Sequence, residues 1–287
     1  MTEKTYSPQE EPSFSAREEM EIDLLLEGVY RLSGYDFRSY MRSSIGRRIQ
    51  NRLRLEQIPT ISGLLEKAIH EPEMLTKLLN DFSINVTEMF RNPSFFKAFR
   101  EKAVPHLKNF PVIRIWHAGC STGEEVFSMA ILLEEEGLSD RTQIFATDMN
   151  ERVLNLAKQG KFALNKMQNY TKNYMLSGGS RSFSEFYSAD EQYAYIHPEL
   201  MKNISFAQHN LVTDQSFNEF HVIVCRNVLI YFTGALQNQV HQLFYDSLSD
   251  GGFLGLGDKE SLKFTEVAYQ YQEFDTAEKI YRKLKKA

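Results

Sequence analysis

The chain has only two cysteines, Cys120 and Cys225, and both fall at expected strand ends, which argues against a disulfide framework and fits a reducing compartment. No stretch approaches the ~18–20 apolar residues of a membrane helix, so no membrane insertion is expected. The opening Met-Thr-Glu-Lys-Thr-Tyr-Ser-Pro has no apolar signal-peptide core, and a cytoplasmic location is expected. Seven histidines are scattered without ligand spacing or a cysteine cluster, so no metal site is expected. There is no excess of positive charge: the net of −5 argues against general nucleic-acid binding unless the charge is local. No internal repeat is visible. A length of 287 residues with 42% hydrophobic residues is enough for one large or two smaller domains with a real core.

Residues 1–19 are polar, with prolines and glutamates, and read as a disordered lead-in. Residues 20–82 read as a small helical domain. Met41, Ile45, Ile49 and Leu53 recur at every fourth position, and Pro59 and Pro72 punctuate the helices. Residues 83–111 form a connector with a helix around Pro93–Leu107. From 112 to 287, β-branched runs alternate with helical segments. That alternation predicts an α/β fold, a doubly wound and mainly parallel Rossmann-like sheet. Residues 162–202 are too long for a simple crossover and are rich in Tyr, Phe and Ser, which predicts an inserted antiparallel β-subdomain.

The most informative segment is Val112-Ile-Arg-Ile-Trp-His-Ala-Gly-Cys-Ser-Thr-Gly-Glu-Glu125, a strand, a glycine turn and a helix start. Gly119 and Gly123 let backbone N–H groups approach a ligand, and Ser121 or Thr122 with Glu124 or Glu125 can form a capping box. The third glycine of the dinucleotide fingerprint is missing, and the turn alone equally describes a well-capped helix. Two glutamates in the first helical turn would repel a pyrophosphate. They suit a cationic ligand without phosphate, and S-adenosylmethionine fits that description. Asp148 ends the next strand 25 residues after Gly123, near the ~20-residue interval of a ribose-binding acid, although it could also cap the following helix. Asn210-Leu211 and Cys225-Arg-Asn-Val-Leu-Ile-Tyr-Phe232 also follow strands, where open α/β sheets bind ligands. Asn85-Val-Thr-Glu-Met-Phe-Arg91 offers donors to a carboxylate, or is a polar hinge.

Taken together, Asn85–Arg91, Ala118–Glu125, Ala146–Asp148, Cys225–Phe232, Gly251-Gly252 and Glu260-Ser-Leu262 resemble the chemotaxis receptor glutamate methyltransferase family, CheR, over about residues 25–285. The resemblance implies an all-α N-terminal domain before the methyltransferase domain. It implies S-adenosylmethionine as methyl donor, S-adenosylhomocysteine as product, and glutamates of chemoreceptor cytoplasmic helices as acceptors. By the same resemblance Asn85, Thr87 and Arg91 line the cofactor's methionine side, with Gly119, Glu125 and Asp148 as further cofactor positions. Asn210 and Leu211 lie beside the adenine, Arg226 and Asn227 match cofactor positions, and Tyr231 lies near the methyl-transfer locus. Tyr231 and Arg91 are the catalytic expectations, and a monomer is expected. The chain departs from the family pattern at Val126-Phe127, His221 and Asp258-Lys259. Arg226-Asn-Val-Leu lacks the Asn/Asp-Pro-Pro-aromatic segment of nucleic-acid methyltransferases. A non-catalytic cofactor- or receptor-binding module is the alternative.

Arg38, Arg42, Arg47, Arg48, Arg52 and Arg54 crowd a stretch with no acid between Phe37 and Leu55. Such a face complements glutamate-rich receptor helices, so Arg47, Arg48, Arg52 and Arg54 are expected to bind substrate. The competing reading is a solvated helix face whose arginine stems assist packing.

Overall fold

The computed structural model describes residues 14–285. The chain divides into two compact units, one running to Ile84 and including Tyr231–Thr233, the other comprising Asn85–Ile230 and the residues from Gly234 onward.

The first unit is helical: α1 (Ala16–Ser33), α2 (Arg42–Glu56), α3 (Ile61–His70) and α4 (Pro72–Phe82). Ser15 and Glu18 form a reciprocal capping box at the start of α1, and Gly34 ends it in the left-handed conformation. Residues 16–19, expected in a disordered lead-in, are therefore helix. Phe14 and the capping Ser15 precede the helix, and the rest of that expectation, residues 1–13, lies outside the described residues. The core draws Ile22, Leu25, Leu26 and Val29 from α1, Ile45 and Ile49 from α2, Leu64 from α3 and Leu78 and Phe82 from α4, all buried. Full burial of each such side chain contributes ~1.5–3 kcal/mol. Tyr231–Thr233 extends along the segment before α2: Met41 N donates to Tyr231 O at 2.8 Å and Thr233 N to Ser39 O at 3.0 Å. The Tyr40 and Phe232 rings meet edge to face at 4.9 Å.

The second unit opens with an irregular segment, 85–92, followed by a nearly continuous helical stretch, α5 (Pro93–Ala98), a π turn and α6 (Val104–Leu107), close to the expected connector helix. The main sheet contains β1 (Ile113–Ala118), β2 (Thr142–Asp148), β6 (Ile204–Gln208), β7 (Phe220–Cys225), β8 (Leu248–Leu256), β9 (Tyr271–Asp275) and β10 (Ile280–Lys283), in the order β6-β2-β1-β7-β8-β10-β9. The run from β6 to β8 is parallel, and β10 and β9 add antiparallel edges. Helices α7 (Glu124–Glu135), α8 (Glu151–Ala157), α10 (Pro198–Met201) and α11 (Gly234–Ser247) intervene between strands. The architecture is the Rossmann-like α/β fold expected: from β1 the chain builds outward through β2 to β6, then crosses back to β7 on the other side of β1. The edge strand β9 was not expected. Its sequence, Tyr-Gln-Glu-Phe-Asp, is too polar to read as a buried strand.

The inserted segment forms the antiparallel sheet β3 (Lys161–Ala163), β5 (Tyr193–Ile196) and β4 (Tyr187–Ala189), as expected, but it also contains α9 (Met167–Leu176). Met167, Tyr170 and Tyr174 are buried on one face of α9, a helical spacing that the aromatic content of the segment obscured. Among the described residues no helix is long and apolar enough to cross a membrane.

Candidate active site

β1 and β2 run parallel in register from Ile113/Thr142 to Ala118/Thr147, so their carboxyl ends finish side by side. There the chain turns sharply. Gly119 N and Cys120 N both donate to Thr147 O at 2.8 Å, which ties the glycine turn to the end of β2. Gly119 has φ +79°, and a Cβ there would lie 2.5 Å from Val228 Cγ2, so the turn packs directly against the loop after β7.

Among the described residues six non-glycine residues of this unit take positive φ, and four of them, Phe90, Asn92, Ser121 and Asn227, with values of 51–62°, belong to the segments around this turn. Each costs about 1 kcal/mol or more and persists only where its surroundings fix it. Phe90 N donates to Ser128 Oγ at 2.8 Å. Asn92 Oδ1 accepts from Arg226 at 3.0 Å. Ser121 N donates to Asp148 Oδ2 at 2.9 Å. Asn227 N donates to Glu260 Oε2 at 3.0 Å. Except at Phe90, these bonds run to Arg226, Asp148 or Glu260 and so tie the strained residues to the charged groups.

Asp148 is buried, and its second oxygen accepts from Asn150 N at 2.9 Å. Burial holds its carboxyl above the usual carboxylate range, and the backbone N–H groups of Asn150, Ser121 and Met149 pull it partly back. Glu125 receives Arg226 at 3.0 Å on one oxygen and His117 Nδ1 lies 3.1 Å from the other. Burial raises its carboxyl, but the His117 bond and the Arg226 charge outweigh that, leaving it below the ordinary value. The Arg226 guanidinium also donates to Arg91 O at 3.1 Å and lies 4.1 Å over the Phe95 ring. It therefore clamps the 85–92 segment, the start of α7 and the loop after β7. Among the described residues the Arg91 guanidinium makes one hydrogen bond, to Val86 O at 3.0 Å.

Two expectations at the turn are corrected. The N-cap of α7 is Gly123 and no side chain caps it, so there is no capping box. Thr122 Oγ1 instead donates to Glu124 Oε2 at 2.5 Å. Nor do both glutamates face a ligand. Glu124 is buried beside Tyr170, whose hydroxyl is 3.3 Å from it, and burial raises its carboxyl. Glu125 alone lies in the network, with its charge matched by Arg226.

The remaining positions are distributed as follows. His209 N donates to Asp148 O at 3.2 Å, which brings Asn210 and the buried Leu211 beside the end of β2. Asn210 Oδ1 accepts from Val212 N at 3.0 Å. Asn85 and Thr87 are half-buried in an irregular segment, and neither side chain makes a hydrogen bond among the described residues. Tyr231 clusters with the first unit, where the Arg48 guanidinium lies 5.7 Å over its ring. Arg52 is engaged within its own unit, bidentate to Asp81 at 2.8 and 2.9 Å and bonded to Glu56 at 3.0 Å. Its guanidinium is thus held in an ion pair within the helical unit, on the stretch expected to bind substrate. Arg38 pairs with Glu27 and Asp36, and Arg42 with Glu19 and Asp23. These acids come from α1, α4, the segment before α2 and the last residue of α2, all outside residues 37–55, so a charge reading confined to that stretch could not find them. Arg47 and Arg54 are exposed and form no ion pair among the described residues. The thiols of Cys120 and Cys225 are buried, and desolvation pushes both well above their ordinary value, which leaves them inert.

One residue of the network went unassigned. The buried Glu260 carboxylate accepts from the backbone N–H groups of Gly257, Asn227, Val228 and Leu229 at 2.6, 3.0, 2.8 and 2.7 Å. Burial raises its carboxyl, against the pull of those four donors. A Cβ on Gly257 would lie 2.8 Å from Glu260 Oε2, so only glycine leaves room for this arrangement. The available signal was weak: Glu260 lies four residues beyond the apolar strand Gly-Phe-Leu-Gly-Leu, with another acid, Asp258, before it.

The donor set fits S-adenosylmethionine. It comprises the buried acid Asp148 at the end of β2, the Arg91 guanidinium, and Ser121 Oγ, buried beside the turn without a partner among the described residues. Residues 85–278 match the family model "CheR methyltransferase, SAM binding domain", and residues 20–83 match "CheR methyltransferase, all-alpha domain". A Pseudomonas putida protein named as the methyltransferase Cher3 is 46% identical over 265 residues, covering 92% of this chain and 97% of its own. The chemotaxis protein methyltransferase of Listeria innocua is 31% identical over 82% of this chain and 87% of its own. That of Escherichia coli K12 is 28% identical over 83% of each.

Proposed function

The chain belongs to the CheR methyltransferase family and uses S-adenosylmethionine, and on that premise we propose that it methylates glutamate side chains of chemoreceptor cytoplasmic helices. The observation that carries the reading is the pairing of the two family domains along one chain, 20–83 then 85–278, with relatives named as chemotaxis methyltransferases matched over most of their length. The relatives' names support the receptor as substrate, and the carboxylate acceptor follows from the family resemblance. No observation favours a non-catalytic module.

When bound, the cofactor supplies an electrophilic methyl group on a sulfonium. The chain's own residues bind and position. The Arg91 guanidinium, with donors left over from Val86 O, holds the cofactor carboxylate, assisted by Asn85 and Thr87. Asp148 receives the ribose hydroxyls on carboxylate oxygens already oriented by Ser121 N and Asn150 N. Asn210 and Leu211 border the adenine. Glu125, Arg226 and Asn227 shape the methionine end, and Gly119 keeps the turn close to the loop after β7. An acceptor glutamate with a free pKa of ~4.3 is already ionised at neutral pH, so no general base is required. Tyr231 orients that carboxylate, and alignment of the reacting groups supplies several kcal/mol. The exposed Arg47 and Arg54, with Arg48, steer the acidic helix. Labelled cofactor incubated with receptor fragments tests the reading. Label should enter the fragment and be released by mild alkali as methanol. Alkali-stable label would place the methyl on nitrogen and overturn the carboxylate acceptor.

A further inference from the structure

A recess borders the Glu260 bracket, with Glu260 but not Arg226 among its lining residues. It is a cleft of about 270 Å³ between the first turn of α11 and residues 257–265, with Leu229, Gln237, His241, Lys259, Lys263 and Phe264 in its walls. Its electrostatics are one-sided. Lys259 and Lys263 form no ion pair among the described residues, and the lining carboxylate, Glu260, is already occupied by four backbone donors. Asp258 and Glu266 neighbour the lysines in sequence but do not line the cleft. The amino end of the 14-residue helix α11, beginning at Gly234, opens onto the same space and adds partial positive charge.

Two further observations point to an occupant. His241 lines the cleft at 1% exposure, and its Nδ1 has no partner among the described residues. A buried ring nitrogen left unpaired is costly unless a ligand completes it. Phe264 is fully exposed and held at φ +75°, which is rare for a bulky side chain. A strained aromatic exposed to solvent in the same cleft as two lysines that have no ion pair among the described residues suits a partner with both carboxylates and an apolar stripe.

We propose that this cleft anchors an acidic amphipathic helix of the protein substrate, with a carboxylate between Lys259 and Lys263 and an apolar side chain against Phe264. The proposal rests on the reading of the chain as a receptor methyltransferase and deepens it. Leu229, a wall of the cleft, is also one of the four backbone donors to Glu260, as is Asn227 on the cofactor side. An anchored helix would therefore lie against the bracket that shapes the cofactor loop.

The test uses the full chain saturated with S-adenosylhomocysteine and a synthetic glutamate-rich receptor helix peptide, with inorganic phosphate as a second probe. The variants are K259E/K263E, Phe264→Gly and a charge-matched control, K97E/K158E, at exposed lysines outside the cleft. Peptide Kd should rise ~10-fold in the cleft double variant and ~3-fold in Phe264→Gly, while the control stays within about 2-fold. Phe264→Gly should not lower Tm, since glycine accepts the left-handed backbone, so its loss of affinity would not reflect unfolding. An equal loss in the control, unchanged Kd in both cleft variants, or phosphate binding as tightly as peptide would each overturn the site. The two readings fail separately. Peptide bound through these residues without methyl transfer would retain the cleft and remove the enzymatic reading. Methylation with an unchanged peptide KM in both cleft variants would do the reverse, and a chain that neither binds nor methylates the peptide would overturn both.

Discussion

The arginine helix α2 and the loops around Glu260 both concentrate charge, and they treat it in opposite ways. Around the loops, Glu125, Asp148, Arg226 and Glu260 lie in the interior and each is held by two or more hydrogen bonds. On α2, Arg52 is tied to Asp81 and Glu56 near the surface, and Arg47 and Arg54 extend into solvent. The difference teaches that charge counted along a sequence is not charge available to a partner. Removing one member of a buried bonded group strands the other and costs ~3–5 kcal/mol, whereas an exposed pair contributes ~0–1 kcal/mol.

The largest expected effect is at Glu260. Glu260→Ala leaves four backbone donors without their acceptor and should lower unfolding free energy by about 3 kcal/mol or more, with S-adenosylhomocysteine affinity falling as the 226–229 loop relaxes. Urea denaturation and calorimetric titration measure the two losses. A fully stable variant would mean that the bracket contributes little.

Next comes Asp148. Asp148→Asn should weaken cofactor binding by ~1.5–3 kcal/mol through lost charge-assisted bonds. The sign with pH follows from its raised carboxyl. Binding needs the ionised acceptor, so affinity should fall as pH drops from neutral through that raised value, before ordinary carboxylates protonate. In the Asn variant this acid-side decline should flatten, and an unchanged pH profile would remove Asp148 from the ribose site.

Arg52→Ala should cost ~1 kcal/mol, since its partners are only partly screened from solvent, and should leave the salt dependence of receptor methylation intact. The smallest effect on stability belongs to the double variant Arg47→Ala, Arg54→Ala, within ~0.5 kcal/mol of the parent. Its signature is kinetic. Methylation by the parent should decline as the Debye length shrinks from ~10 Å at 0.1 M salt, and the double variant should show a flatter decline. If Arg52 and Arg47/Arg54 variants behave alike, the contrast between tied and free arginines fails.

Much of this was legible along the chain. Val112–Trp116 and Gln143–Thr147 announced the central strands through β-branched runs, the ordered motifs pointed to the family, and the length of 162–202 predicted an inserted sheet. What stayed hidden depends on contacts distant in sequence. Asp81 neutralises Arg52 from 29 residues away, and Arg226 meets Glu125 across 101. Glu260 satisfies backbone groups, which carry no residue-type signal. The roles of the two adjacent glutamates, Glu124 turned toward Tyr170 and Glu125 toward Arg226, differ only through helix rotation and the packing of α9.

The account's central claim is methyl transfer to a glutamate side chain, and peptide mass spectrometry of a receptor cytoplasmic fragment treated with the enzyme and S-adenosylmethionine tests it most directly. The predicted result is a single added methyl on identified glutamates, absent when those glutamates are replaced by alanine and strongly reduced with Tyr231→Phe despite unchanged cofactor affinity. Methylation confined to lysine or arginine, or an unmodified fragment beside an enzyme that binds cofactor normally, would contradict it.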